Sequence, residues 1–361
     1  MSVTLLDRYY AAALQLDCDG VHPDTDRASA RARMKASLAR IDTAIAGAKR
    51  WVGEDLRLVV LPEYILTGPP WGEPIPAWAD KAALADDGPE YETFAQLAQR
   101  HGVHLAGNAY ELDPHFPGLY FQASFVFDDT GRRVLRYRRL VSMFAPTPHD
   151  VWDRYLEIYG LDAVFPVADT TLGKLAAIAS EEILYPEIAR CHAIRGAEVL
   201  LHSTGEMAAR TLTPKQIARR ARALENLAYV VSANCAATWG IDVPADSSNG
   251  FSDIIDYMGN QLVQAGQGVS MAAAWALDLA GLRAYRRRPG MGNLLSRQAL
   301  DLYAASFTAA NIRKANGLLV GGKVVVPDRA FFRERQQLAL ARLAETGVVR
   351  SGQPTGQRVA R

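Results

Sequence analysis

Three chemically reactive side chains stand at positions where strands of an α/β fold are predicted to end. Glu63 follows LVVLP, Arg139 lies in RYRRL and Ser180 follows KLAAIA. Open α/β sheets collect ligands and reactive groups at the carboxyl ends of their strands. An acid and a hydroxyl at such an edge are the residue types of a general base and a nucleophile, and the arginine places a cation beside them.

Each of these residues also has a structural explanation when it is considered alone. A glutamate after a strand can cap a helix, an arginine at a strand end can be solvated, and a serine can cap the following turn. The catalytic interpretation depends on the combination, because all three stand at predicted strand ends in the order Glu63, Arg139, Ser180.

Other motifs in the chain give weaker signals. GLLVGGKV (317–324) nearly matches a phosphate-binding loop, but Val324 replaces the hydroxyl that would bind magnesium, so we predict no nucleotide site. His101 and His104 have ligand-like spacing without thiol or carboxylate companions, and we predict no metal site. Ser180 lacks the G-x-S-x-G frame of a nucleophile elbow, which argues against a Ser-His-Asp hydrolase.

The segments around the three residues resemble, in order, motifs of the nitrilase superfamily of carbon–nitrogen hydrolases. LVVLPEYILTG is similar to the catalytic-glutamate segment, and YRRL is similar to the catalytic-lysine segment. IASEEILYPEIAR is similar to the nucleophile segment, in which a cysteine precedes a proline at the spacing that Ser180 has to Pro186. Further similar segments follow in the same order: RGAEVLLHST, RARALENLAYVVSAN and GFSDIIDYMGN.

The resemblance implies a division of roles among the three residues. Glu63 takes the place of the base, Arg139 that of the charge-stabilising lysine and Ser180 that of the attacking cysteine. The implied reaction is attack on a small amide or nitrile, release of ammonia or an amine, and hydrolysis of an acyl-enzyme. No cofactor and no metal are implied.

Three further glutamates receive supporting roles from the same resemblance. The backbone N–H of Glu181 is the expected oxyanion donor, and Glu182 belongs to the nucleophile segment. Glu157 is the expected second glutamate between the arginine and serine segments.

Two of the three central positions depart from the family pattern, and three interpretations remain open. Arginine keeps the charge of lysine but cannot relay a proton, and a hydroxyl ionises far less readily than a thiol. Ser180 is then a substitution that inactivates a cysteine enzyme, the nucleophile of a serine-dependent hydrolase or acyl-transfer variant, or part of a non-catalytic binding protein. Cys191, further along the chain, is expected to be a buried apolar residue of a helix.

Two long loops are expected to form the pocket walls. They span 67–82, after Glu63, and 142–155, after Arg139. Their aromatic side chains either line an apolar pocket or pack the loops onto the body: Trp71, Trp78, Phe144 and Trp152.

The apolar periodicity predicts a mixed α/β fold. Amphipathic helices are predicted over 30–52, 92–102, 186–196 and 214–228, and short buried strands alternate with them. Hairpin-like strand pairs near residue 130 and within 250–280 indicate mixed sheets. The resemblance implies a four-layer αββα sandwich of two mixed sheets with outer helices.

We assign residues 1–326 to one hydrolase domain and 327–361 to a C-terminal extension that is partly helical and then loose. The formal net charge of +1 gives no reason to expect a nucleic-acid or membrane partner. Three cysteines without a C-x-x-C motif and an N-terminus without a signal-peptide pattern favour a cytoplasmic protein. The resemblance implies a homo-oligomer, a dimer or larger, that uses the helices at 186–196 and 214–228.

Overall fold

The computed structural model describes residues 5–248 and 250–350. Its strands are β1 (Arg8–Ala13), β2 (Cys18–Asp19), β3 (Leu56–Val60), β4 (His104–Leu112), β5 (Tyr120–Phe127), β6 (Arg133–Arg138), β7 (Ala168–Thr170), β8 (Gly173–Ala179), β9 (Val199–Thr204), β10 (Tyr229–Asn234), β11 (Thr238–Trp239), β12 (Asp253–Ile255), β13 (Gln261–Gln264), β14 (Ala274–Asp278), β15 (Leu319–Val320) and β16 (Lys323–Val324). Its α-helices are α1 (Arg27–Val52), α2 (Ile75–Ala82), α3 (Pro89–His101), α4 (Trp152–Tyr159), α5 (Pro186–Ile194), α6 (Pro214–Asn226), α7 (Leu279–Arg287), α8 (Asp301–Ala310) and α9 (Ala330–Glu345).

The two large sheets share one plan. The first has the order β14-β1-β3-β4-β5-β6 and the second β13-β12-β10-β9-β8-β7. In the first, β1, β3 and β4 run parallel and the flanking strands are antiparallel. In the second, β8, β9 and β10 run parallel between antiparallel neighbours. The carboxyl ends of the central strands, where Glu63 and Ser180 follow β3 and β8, are therefore available for a shared site.

Alternation of side chains along the strands builds the layers. Ala11 and Ala13 of β1 belong to the core between the sheets, whereas Ala12 belongs to the core under the helices. The same alternation in β8 directs Ala177 and Ala179 inward and Ile178 outward.

Helices cover the outer face of each sheet. α1, α2 and α3 pack with the first sheet in one apolar cluster, and α5 and α6 pack with the second sheet in another. The order of layers is helix, sheet, sheet, helix, so the expected αββα sandwich of two mixed sheets is confirmed.

Helix α1 shows how local sequence fixes an element. Asp26 caps its start by accepting the backbone N–H of Ser29 at 2.8 Å. Its buried residues recur at helical spacing, among them Met34, Leu38 and Ile41. The predicted helix over 30–52 is thus found with its start extended to Arg27.

Short helices replace part of both expected loops. α2 lies within 67–82, and α4 begins within 142–155. Neither has a side-chain cap, so local sequence gave a weak signal for them. Trp78 of α2 is fully buried in the core, which indicates that tertiary packing stabilises this helix.

Helix α9 lies in the segment that we treat as a C-terminal extension. Its Phe332 is buried in the core of the first sheet, and its Arg335 pairs with Asp150. Arg335 also donates to the carbonyl of Ser142 at 2.9 Å, so α9 contacts the loop that follows Arg139. The loose segment expected at 351–361 lies outside the described residues.

The GLLVGGKV segment forms a hairpin. β15 and β16 pair across Gly321 and Gly322, whose φ angles of 57° and 76° suit glycine. Within the described part of the chain, no helix combines the length and the apolar character that crossing a membrane requires.

A pH prediction follows from His192 on α5. The ring is fully buried against Tyr137 and Phe165, and burial lowers its pKa from 6.5 to about 3. Below pH 6.5 the unfolded chain binds a proton that the folded protein excludes, so stability falls as the pH falls. His192→Phe should remove about 2 kcal/mol of the stability loss between pH 6.5 and about pH 5.

Urea unfolding at several pH values measures this effect. The same substitution at the exposed His115 controls for removing one histidine. An unchanged pH dependence in His192→Phe would show that His192 is not responsible.

Candidate active site

Ser180 begins a tight turn directly after β8. Its φ is +50°, in the left-handed region, and a short 3₁₀ turn (Ser180–Leu184) leads to Pro186 and α5. His202 contacts the Ser180 carbonyl through Nε2 at 2.9 Å and Ser232 Oγ through Nδ1 at 2.7 Å. Burial lowers the pKa of His202 well below its usual value, so the neutral ring donates to the carbonyl and accepts from Ser232. This pair of contacts fixes the turn that presents the Ser180 side chain.

Glu63 lies just beyond β3 with both carboxylate oxygens engaged. Oε2 accepts the backbone N–H of Gly205 at 2.9 Å. Oε1 accepts from Gln122 Nε2 at 2.7 Å and from Arg139 Nη1 at 3.2 Å. The carboxylate is therefore held in one orientation by donors from β5, the end of β6 and the segment after β9.

Gly205 is required by the close approach of Tyr64. A Cβ at position 205 would lie 2.0 Å from the Tyr64 hydroxyl oxygen. Any other residue would displace either Tyr64 or the N–H that holds Glu63.

Arg139 follows β6 and joins several parts of the site. Nη1 donates to Gln122 Oε1 at 2.6 Å, Nε donates to the carbonyl of Val141 at 2.6 Å, and Nη2 pairs with Glu181 at 2.5 Å. Burial acts to lower its pKa, but Glu181 and Glu63 outweigh burial and hold the pKa above its usual value. Arg139 is thus a permanent cation, suited to stabilising negative charge but not to carrying a proton.

Sequence reasoning missed Lys215, in the first turn of α6. Its Nζ donates to Ser180 Oγ at 2.8 Å and to Thr204 Oγ1 at 3.1 Å. Burial is the main cause that lowers its pKa, against the opposing effects of Glu63 and Glu206. The available signal was the position of Lys215, at the start of the helix that follows β9.

The expected catalytic residues line one cavity of about 580 Å³. Glu63, Arg139 and Ser180 face it together with Glu181 and Lys215. Apolar side chains form much of the remaining wall: Trp71, Phe144, Leu184, Met207, Ile241 and Val243.

Only part of the expected aromatic wall is present at this cavity. Trp71 and Phe144 line it, but Trp78 is buried in the core and Trp152 packs in a separate apolar cluster. The segment 238–248, which sequence reasoning did not assign to the site, supplies the opposite wall.

Glu182 does not line the cavity but holds the chain segments beside it in place. It is fully buried, and its carboxylate accepts the backbone N–H groups of Leu140 at 2.7 Å and Val141 at 3.0 Å and the Tyr137 hydroxyl at 2.8 Å. Burial raises its pKa to about 7. Glu182 joins the turn of Ser180 to the chain that follows Arg139.

Glu157 is not brought to the cavity. It is exposed on α4 and lines a separate depression with Asp153 and Asn316. α4 is anchored by Tyr155 in an apolar cluster away from Ser180, which explains why chain order misplaced Glu157. Cys191 is half-buried on α5 rather than buried as expected, and it does not line the cavity.

Comparison with known proteins identifies the family of this chain. The family model described as carbon-nitrogen hydrolase matches residues 11–287. The nitrilase and fragile histidine triad fusion protein NitFhit of Caenorhabditis elegans is 27% identical over 224 residues, 61% of this chain and 49% of that protein. A formamidase of Bacillus thuringiensis is 28% identical over 188 residues, 52% of this chain and 52% of that protein. The chain thus spans about half the length of these curated relatives.

Solved structures show the same fold. A nitrilase-superfamily protein of Saccharomyces cerevisiae has a TM-score of 0.59 at 20% identity, covering 79% of this chain and 96% of that chain. A carbon-nitrogen hydrolase of Helicobacter pylori has a TM-score of 0.60 at 20% identity, covering 83% of this chain and 98% of that chain. Because the family model matches residues 11–287, which is most of the chain, the chain belongs to the carbon–nitrogen hydrolase family.

Proposed function

We propose that the chain is an amidase-type hydrolase that cleaves a small, partly apolar amide through an acyl-enzyme on Ser180. The observation that carries this proposal is the hydroxyl of Ser180 beside Lys215 in a cavity that Glu63 and Arg139 also line. The Ser180 oxygen attacks the amide carbon, ammonia or an amine leaves, and water releases the acid from the ester. A nitrile carbon is the second electrophile that suits this site.

The cavity favours a substrate with an apolar acyl group. Its volume of about 580 Å³ exceeds what formamide would fill, and Trp71, Phe144 and Met207 offer apolar contact. The formamidase among the relatives supports amide chemistry. Cationic Arg139 and the backbone N–H of Glu181 are the proposed stabilisers of the oxyanion.

Lys215 supports serine as the working nucleophile. An amine close to the hydroxyl supplies the stronger base that a serine needs and a thiol does not. The two other interpretations, an inactivated cysteine enzyme and a non-catalytic binding protein, make different experimental predictions.

Ammonia release from a panel of amides and nitriles tests the proposal. The unmodified chain should turn over at least one small apolar amide, and Ser180→Ala should not. A rise of several orders of magnitude in Ser180→Cys would instead favour the inactivated cysteine enzyme. No ammonia release from the unmodified chain, Ser180→Ala or Ser180→Cys would favour a non-catalytic binding protein.

Arg139→Lys is expected to lower kcat about tenfold, and Arg139→Met about a hundredfold. Lysine keeps the charge beside Glu63 but cannot reach Gln122, Val141 and Glu181 at once, as the planar guanidinium does. Steady-state kinetics on the best amide measure both effects. Equal activity in all three proteins would show that Arg139 does not act on the reaction.

A homodimer through α5 and α6 is the proposed assembly. Large apolar side chains are exposed on these helices: Ile194, Ile217 and Leu224. Covering such side chains removes apolar surface from water. Light scattering should report a dimer or larger, and Ile217→Glu should shift it toward monomer. A monomer at micromolar concentration in the unmodified chain would contradict this assembly.

A further inference from the structure

We propose that Lys215, rather than Glu63, is the general base that takes the proton of the Ser180 hydroxyl. This inference rests on the proposed function, since it names the residue that activates the nucleophile of that same site.

The position of Lys215 suits a general base once its amine is neutral. Its Nζ lies 2.8 Å from Ser180 Oγ, within the hydrogen-bond reach that a general base requires. Thr204 Oγ1, at 3.1 Å from Nζ, fixes the end of the side chain. A reciprocal cap at the start of α6 fixes the backbone of Lys215. Thr213 Oγ1 accepts the Gln216 N–H at 3.2 Å, and Gln216 Oε1 accepts the Thr213 N–H at 2.9 Å.

Glu63 is poorly placed to be that base. Its Oε2 is occupied by the Gly205 N–H, and its Oε1 accepts from both Gln122 and Arg139. Both carboxylate oxygens therefore already accept hydrogen bonds from groups other than Ser180. Glu63 is better suited to orienting Arg139 than to deprotonating a hydroxyl.

The charged groups around Lys215 come from several elements. Glu63 and Glu206 favour its ammonium form, whereas Arg139 and Arg219 disfavour it. Neutral His202 adds no opposing charge. Burial has the largest effect and lowers the pKa of Lys215, which raises the fraction of neutral amine able to accept a proton.

The proposed steps balance in atoms and electrons. Neutral Lys215 takes the hydroxyl proton as Ser180 Oγ bonds to the amide carbon and the carbonyl electron pair moves to oxygen. The carbon–nitrogen bond then breaks, and the leaving nitrogen keeps its electron pair and takes the proton from the Lys215 ammonium. Water next adds to the ester with Lys215 as its base, and Ser180 regains a proton as the carboxylic acid leaves.

Three variants test this role by kinetics on the best amide. Lys215→Ala and Lys215→Arg should each lower kcat by about 10²- to 10⁴-fold with little change in KM, because neither side chain accepts a proton. Added methylamine should restore at least about tenfold of the activity of Lys215→Ala, in proportion to the neutral amine. Lys35→Ala, which removes an exposed lysine, controls for general effects of substitution and additive.

Labelling of Ser180 by a fluorophosphonate gives a readout that needs no amide substrate. Its rate should rise with pH in the unmodified chain, and Lys215→Ala should lower the rate and abolish that rise. Thermal unfolding of each variant separates misfolding from loss of the base.

The failures of the two proposals are distinguishable. Labelling of Ser180 that depends on Lys215, without ammonia release from any amide, would contradict the proposed function and support Lys215 as the general base. Turnover that requires Ser180 but stays within about fivefold of the unmodified chain in Lys215→Arg would contradict only the role of Lys215 as general base. A positive charge at position 215 would then be sufficient for turnover. Failure of amine rescue in folded Lys215→Ala would also count against it.

Discussion

Ser180→Ala is expected to lower turnover of the best amide by at least ~10³-fold. The substitution removes the oxygen that forms the acyl-enzyme, while the cavity walls and the ion pair of Arg139 with Glu181 remain. Alanine tolerates the backbone conformation at this position, φ +50°, about as well as serine does, so the turn should persist.

Two measurements support the interpretation of that loss. Substrate binding, measured by calorimetry, should change little because only the nucleophile is absent, and the unfolding temperature should stay close to that of the unmodified chain. Turnover within about tenfold of the unmodified chain would show that Ser180 is not the nucleophile.

Arg219→Met should destabilise the protein by about 3–5 kcal/mol. Arg219 on α6 is 0% exposed and pairs with Glu206 and Asp253 at 3.1 Å each. Removing the cation leaves two buried carboxylates without their partner. The loss should appear as a lower urea midpoint with an unchanged slope.

A double variant separates this cause from a loss of packing. Arg219→Met with Asp253→Asn should recover part of the stability, because one unpaired charge is removed with its partner. Arg220→Met, at an exposed neighbouring arginine, should change stability by less than about 0.5 kcal/mol. A loss below about 1 kcal/mol for Arg219→Met would contradict the ion-pair account.

Sequence periodicity was sufficient for a mixed α/β fold and for three of the side chains at the cavity. Glu63, Arg139 and Ser180 could be found because each follows a buried strand, and strand ends of mixed sheets meet at shared edges. The resemblance to ordered family motifs added the pairing of the two sheets, which apolar patterns alone do not specify.

The missed residues depend on tertiary geometry. Lys215 reaches Ser180 because the start of α6 lies beside the turn after β8, a proximity that no local pattern contains. Glu157 was assigned by chain order, but the helix that carries it packs elsewhere. The short helices α2 and α4 lack strong caps and were therefore predicted as loops.

The sequence pattern also did not decide whether the site works with serine or with cysteine. The spacing of Ser180 to Pro186 resembles that of a thiol site, and sequence alone left three interpretations open. Lys215 beside the hydroxyl is the structural observation that favours a serine nucleophile.

Mass spectrometry of the chain, quenched in acid during turnover of an apolar amide, tests whether Ser180 forms the acyl-enzyme. The peptide containing Ser180 should gain the mass of the acyl group less one hydrogen, and Ser180→Ala should show no such adduct. An acyl group on another residue, or ammonia release that continues undiminished in Ser180→Ala without any adduct, would show that Ser180 is not the nucleophile.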